Sequence, residues 1–140
     1  MKYILVKPFI LLLILLSGCA ANGPKYSEQY AVETDDANLY VYRPDSFLNS
    51  AINEGVFIDD ELIGKLQNGS FVKTKVNEGE HTLKVGKQIQ TFNASSNEKV
   101  FFKFTHGWAL FFVMPISPQT LELTPESTAR SELNETRSPK

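Results

Sequence analysis

Three groups of side chains in this sequence have reactive chemistry: the single thiol of Cys19, the imidazoles of His81 and His106, and the acidic run Asp59-Asp60-Glu61. A metal site needs several ligands at short, regular spacing, but the two histidines stand 25 positions apart with no acidic ligand pattern beside them. The sequence therefore implies no metal and no cofactor. His81 alternates with Leu83 and Val85, which makes it a histidine at the edge of a core, hydrogen-bonded to backbone. His106, directly before Gly107, reads as a loop residue. Paired carboxylates about 5 to 9 Å apart can hydrolyse a glycan. Successive strand residues point to opposite faces, however, and Asp is favoured in turns, so Asp59-Asp60-Glu61 reads as a turn. The chain has no Gly-x-Ser-x-Gly elbow, Walker loop or dinucleotide fingerprint, so nucleophilic and nucleotide chemistry lack their usual supports.

Cys19 stands in a more specific context. Lys2 and Lys7 form a positive start, Phe9 to Leu16 an apolar run, and small residues follow, which is the layout of a removable export signal over residues 1–18. Residues 3–16 fall short of the roughly 20 apolar residues that a membrane span needs, and Lys7-Pro8 interrupts them. Leu16-Ser17-Gly18-Cys19 resembles the lipobox of bacterial lipoproteins. The resemblance implies that Cys19 receives a diacylglyceryl thioether, becomes the mature N-terminus and is then N-acylated, so that the membrane is a partner through this lipid. At about 0.8 kcal/mol per buried methylene, one acyl chain holds a protein marginally, whereas two or three hold it firmly. Ala20 resembles the signature of lipoproteins sent to the outer membrane, implying a location in the bacterial cell envelope at the periplasmic face of that membrane. With Cys19 lipidated no thiol remains, which rules out disulfides, thiolate metal sites and a cysteine nucleophile.

Removing the first 18 of the 140 residues leaves 122, enough for one domain with one core. It also removes Lys2 and Lys7, leaving 12 Lys and Arg against 16 Asp and Glu, a side-chain balance of −4. That balance argues against nucleic acid as a partner.

The elements that must carry any site follow from pattern. Residues 19–37 are small, polar and acidic and read as the lipidated cysteine followed by a flexible tether. A coil of that length reaches about 20 to 25 Å, which would let the domain stand clear of the lipid headgroups. Residues 38–123 show short β-rich runs separated by turn residues about every ten positions, the pattern of an all-β sandwich of about seven or eight strands, with a small barrel as the alternative. Leu39-Tyr40-Val41-Tyr42-Arg43 is stopped by Pro44, and Asp59-Asp60-Glu61 and Asn68-Gly69 are hairpin signals, the latter for a type I′ turn. Ala109 to Ile116 reads as one continuous apolar strand covered on both faces. Over residues 124–140, Thr124-Pro125-Glu126 begins a short helix with Thr124 as N-cap. Ala129 and Leu133 are its apolar pair, and Asn134 to Lys140 reads as a fraying tail.

The strand and turn residues Leu39 to Pro44, Val56 to Leu66, Asn68-Gly69-Ser70-Phe71 and Glu78-Gly79-Glu80-His81 resemble a family of small bacterial lipoproteins sharing a domain of unknown function. They are also similar to carbohydrate-surface-associated repeat domains named for a Pro-Glu-Gly-Ala motif, although Asn77 stands where that turn has proline. The resemblance implies an immunoglobulin-like or prealbumin-like sandwich, and neither family supplies catalytic residues.

Two features point to interaction. Residues 65–103 hold seven lysines against three glutamates, while residues 19–64 hold two basic and nine acidic groups, so the domain is electrically polarised. Strand parity turns Lys73, Lys75, Lys84 and Lys103 towards solvent, forming a lysine face suited to an envelope protein, lipopolysaccharide or glycan. The aromatic run Trp108 to Ile116 reads as core, or as an apolar groove for a partner or lipid. The sequence thus points to a lipid-anchored, non-enzymatic binding or scaffolding module. The alternatives are an envelope lipid carrier and a glycan hydrolase acting through Asp59, Asp60 or Glu61.

Overall fold

Strands with one apolar and one polar face bury the apolar side by closing in pairs, and here two sheets do so. The computed structural model describes residues 21–27, 36–47, 49–107, 109–111, 114–116 and 118–139; Cys19 and the export signal lie outside these, as do Trp108, Phe112 and Val113. The strands are β1 (Ala37–Arg43), β2 (Glu54–Ile58), β3 (Glu61–Leu66), β4 (Ser70–Val76), β5 (Gly79–Val85), β6 (Gln88–Ala94), β7 (Lys99–His106), β8 (Ala109–Phe111), β9 (Met114–Ile116) and β10 (Gln119–Leu123). One helix, α1 (Glu126–Leu133), follows. The first sheet runs β10-β7-β1-β4 and the second β3-β2-β5-β6, giving the sandwich that the turn spacing predicts. Neighbours pair antiparallel except β1 and β7, which run parallel.

Between the sheets lie Leu39 and Val41 from β1, Val72 and Val76 from β4, and Val100, Phe102 and Phe104 from β7, against Val56, Ile58, Leu66, Leu83, Val85 and Phe92 from the second sheet. Each such side chain contributes about 1.5 to 3 kcal/mol when fully buried. The outer face of the first sheet is covered as well. Tyr40, Tyr42 and Phe101 point away from the main core and pack with Ala129 and Leu133 of α1, while Tyr26 and Phe71 flank them. All seven residues of β1 are buried as a result.

Five local readings are corrected. The expected tether is docked where it is described: Ala21 is 5% exposed, and its N–H donates to the Asn68 carbonyl at 3.4 Å. Gly23 N–H to Ser138 O (3.0 Å), Ser138 N–H to Pro24 O (2.8 Å) and Tyr26 N–H to Thr136 O (3.2 Å) stitch residues 21–27 to the C-terminal tail, which does not fray. The tail is held because the Arg137 N–H donates to Gly69 O and its carbonyl accepts from Phe71 N–H, extending the edge of β4. Residues 109–116 form a two-stranded hairpin outside both sheets rather than one continuous strand. At the start of α1, Pro125 is the N-cap and no side chain caps it; the Thr124 hydroxyl donates instead to Glu122 O at 3.2 Å. The two-residue turn with both central φ positive is Asp59 (49°) and Asp60 (68°), whereas at the Asn68-Gly69 turn only Gly69 takes positive φ (64°).

The sandwich has two ends. One carries the loop after β1, the β3–β4 turn, the β5–β6 turn and the β8–β9 hairpin; the other carries the β2–β3, β4–β5 and β6–β7 turns.

Candidate functional site

Strand parity fixes which side of its own sheet a residue faces, and two sheets in a sandwich have opposite outsides. Lys73 and Lys75 on β4 and Lys103 on β7 lie on the outer face of the first sheet, while Lys84 on β5 lies on the outer face of the second. The four lysines therefore do not form one face. Lys84 Nζ sits 5.6 Å from the centre of the Phe57 ring. Lys103 is neutralised by a 2.6 Å ion pair to Glu132 of α1, whose second carboxylate oxygen accepts from the Tyr42 hydroxyl at 2.6 Å. Burial raises the Glu132 carboxyl, but the hydrogen bonds from Lys103 and Tyr42 outweigh it and hold the group below its ordinary value. Lys103 is thus a strut between β7 and α1.

Lys73 has different surroundings. Across the first sheet Lys73, Tyr40 and Phe101 stand in one row, because Tyr40 pairs with Lys73 on one side and Phe101 on the other. Tyr40 and Phe101 stack with centroids 4.9 Å apart, and Lys73 Nζ lies 5.2 Å from the Tyr40 centroid, a cation–π distance. Tyr26 stands edge-on to Tyr40 at 6.0 Å and to Phe71 at 5.6 Å. These rings wall a pocket of about 280 Å³ whose rim also carries Pro24, Lys25 and Lys73. Burial lowers the Lys73 ammonium from its ordinary value, and the neighbouring charges of Lys75 and Lys99 lower it further. One row along the same face, Asn38 pairs with Lys75 and Lys99. Its side-chain carbonyl is buried without a hydrogen-bond partner among the described residues.

Lys99 and Tyr26 are members of this surface that strand parity alone did not single out. The alternation of Phe71, Lys73 and Lys75 with Val72 and Val76 was the signal for a mixed aromatic and basic face, but Tyr26 sits in a stretch without apolar period, so nothing local marks it as packed.

The other candidate groups are internal braces. His81 has Nδ1 2.7 Å from an Asp59 carboxylate oxygen and Nε2 2.9 Å from the Asn77 carbonyl, so it bridges the β2–β3 and β4–β5 turns. The Asp59 bond, with help from Asn77, raises the imidazole's pKa. The Thr82 N–H and then His81 lower the Asp59 carboxyl. A glycosidase acid needs a raised carboxyl; Asp59 is moved the other way. Beside this pair, Lys75, Glu61 and Thr74 line a polar cleft of about 310 Å³ at the β3–β4 edge.

His106, expected in a loop, ends β7 with its side chain 2% exposed. Its Nε2 lies 3.1 Å from Glu54 Oε1, which also accepts from Gln119 Nε2 at 2.9 Å. Burial, aided by Arg43, lowers its pKa and keeps the ring neutral. Its partner is 52 positions away, which is why a local reading misses it. Among the described residues no three His, Cys, Asp or Glu side chains converge as a metal site would require, and no helix is long and apolar enough to cross a membrane.

Residues 33–124 match the family described as "Protein of unknown function (DUF2846)". An "Uncharacterized protein" of Haemophilus influenzae (strain ATCC 51907 / DSM 11121 / KW20 / Rd) is 30% identical over 93 residues, covering 61% of this chain and 54% of that relative. The chain thus spans about half the length of the relative it matches. No solved structure matches it.

Proposed function

Because the chain belongs to the DUF2846 family, proteins of unknown function, its surface chemistry must carry the reading, and we propose a lipid-anchored protein of the bacterial cell envelope whose sandwich is a non-enzymatic binding module for an anionic glycan. The anchor is the lipid on Cys19, and Ala20 favours the periplasmic face of the outer membrane. The observation that carries the binding reading is the pocket walled by Tyr26, Tyr40 and Phe71 beside Lys73. Aromatic rings offer flat apolar faces to the C–H side of a sugar, and lysines pair with phosphate or carboxylate. At about 280 Å³ the pocket lies at the small end of ligand sites, which run from roughly 300 to 1,000 Å³. It suits one or two sugar rings better than a long acyl chain, which supports a glycan module over a lipid carrier. The Asp59 carboxyl, bonded to His81 and the Thr82 N–H and lowered by them, is not poised as the general acid of a glycan hydrolase.

Calorimetric titration of the protein with a phosphorylated core oligosaccharide of lipopolysaccharide, and with its dephosphorylated form, tests the reading. Tyr26→Ala and Lys73→Gln should each weaken binding of the phosphorylated sugar about ten-fold, roughly 1.4 kcal/mol. Lys84→Gln, on the other sheet, should leave it unchanged. Equal affinity for both sugars, or equal binding by all variants, would refute the proposal.

A further inference from the structure

We propose that the end of the sandwich carrying the loop after β1 and the β8–β9 hairpin faces the bilayer, with Phe47 seated among the lipid headgroups and upper acyl chains. This rests on lipidation of Cys19. Ala21 is packed on the domain and bonded to the Asn68 carbonyl, and Cys19 precedes it by two residues. Two peptide units span at most about 7 Å, so whatever path residues 19 and 20 take, the lipid is attached within that reach of Ala21 and not at the far end of a free tether.

Asn68 fixes what else lies at that point. Its side-chain amide bonds to the Asp45 carboxylate, and its carbonyl oxygen accepts from the Ser46 N–H at 3.0 Å. The next residue, Phe47, is 95% exposed. The loop that presents it is braced from below: the buried Arg43 guanidinium donates to Ile52 O at 2.6 Å and to Asn49 O at 2.7 Å. An aromatic side chain held almost fully in solvent on a braced loop, beside the lipid attachment point, has the geometry of an interfacial anchor.

Two further features of this end agree. The β8–β9 hairpin, Ala109–Phe111 paired with Met114–Ile116, continues past the His106–Gln119 pair as a separate sheet, and its strand residues are all apolar. The charged groups inside this end are satisfied within the fold, with Glu54 bonded to neutral His106 and to Gln119 and the Arg43 guanidinium turned to loop carbonyls. Lys65 and Lys87 are exposed on the β3 and β5–β6 segments at the same end, where anionic headgroups favour cations.

The test uses the full lipidated protein in phosphatidylethanolamine–phosphatidylglycerol vesicles whose acyl chains carry bromine, a short-range quencher of tryptophan. Incorporation of a clickable palmitate into the wild type, and its loss in Cys19→Ser, is read first; an unlabelled wild type removes the lipidation reading and this inference with it. In labelled protein, Phe47→Trp in a Trp108→Phe background should shift to the blue and be quenched at least two-fold. Glu80→Trp in the same background, at the opposite end, should be unaffected. An unquenched Phe47→Trp, or equal quenching at both positions, overturns the orientation while leaving the anchor standing. Should Trp108→Phe fail to fold, Phe47→Trp and Glu80→Trp are compared in the Trp108 protein, each read against the unsubstituted chain. Added quenching at Phe47→Trp alone supports the orientation, and none at Phe47→Trp, or equal added quenching at both, overturns it.

Discussion

A histidine with both ring nitrogens engaged must lose a hydrogen bond before it can act as a base, and His81 is in that position between Asp59 and Asn77. Its effect is on stability, and the sign follows from the directions of the shifts. The His81 pKa is raised on folding, so its contribution is fully present below the unfolded value of about 6.5 and fades as pH rises through the folded value. The Asp59 pKa is lowered, so its contribution is present above about 4 and fades as pH falls. The pair therefore stabilises the fold mainly between these limits. His81→Gln should cost up to about 1 kcal/mol near pH 5.5, since Asp59 is solvent-facing, and much less at pH 8.5. Urea unfolding at the two pH values measures this; a pH-independent cost would contradict the pairing. His106 moves oppositely, because burial keeps it neutral. Of the two, His81 was legible from its alternation with Leu83 and Val85. His106 was not, because its environment is built by Glu54 and Gln119 from distant strands.

At the level of elements, strands were readable wherever turn residues punctuate the chain, since Pro44, the Asp59-Asp60 turn and Gly69 each end or begin a pairing. Parity was readable too, but not the sheet to which a strand belongs, so Lys84 was grouped with lysines on the far side of the molecule. The short β10 escaped notice because Gln119–Leu123 offers few apolar residues, and it is held by backbone pairing to β7. The helix shows the opposite case, in which one (i, i+4) pair suffices. Ala129 and Leu133 are both 0% exposed and close the outer face over Tyr40, Tyr42 and Phe101. Leu133→Ala should therefore cost about 2 to 4 kcal/mol, as for a buried leucine with little room to relax. Chemical denaturation gives the value; a cost under about 0.5 kcal/mol would mean that α1 does not seal this face.

Across the whole molecule, both ends of the described chain meet on the first sheet. Lys25 and Arg137 pair as an antiparallel bridge, and Arg137 in turn pairs with Ser70, so the C-terminal tail and residues 21–27 continue the first sheet beyond the β4 edge, and Tyr26 reaches back onto its outer face. The second sheet has no such cover among the described residues: Leu62, Phe57, Lys84 and Ile89 run in one row across its four strands, with Leu62 53% and Ile89 61% exposed. The sequence disguised this asymmetry because residues 20–37 carry the composition of a linker. Tyr26 holds the segment down through two ring contacts, and backbone bonds to Ser138 and Thr136 do the rest. A chain beginning at Asp36 should then lose the burial of Tyr26 and uncover Tyr40 and Phe71. The expected loss is about 2 kcal/mol, lowering the melting temperature by several degrees relative to a chain beginning at Ala21. Tyr26→Ala in the longer chain should reproduce at least half of that loss, because Tyr26 packs against the buried cluster of Tyr40, Tyr42 and Phe101. Binding of a dye selective for exposed apolar surface should rise in parallel. Two chains with equal melting temperatures and equal dye binding would mean that the segment is the free tether its composition resembles.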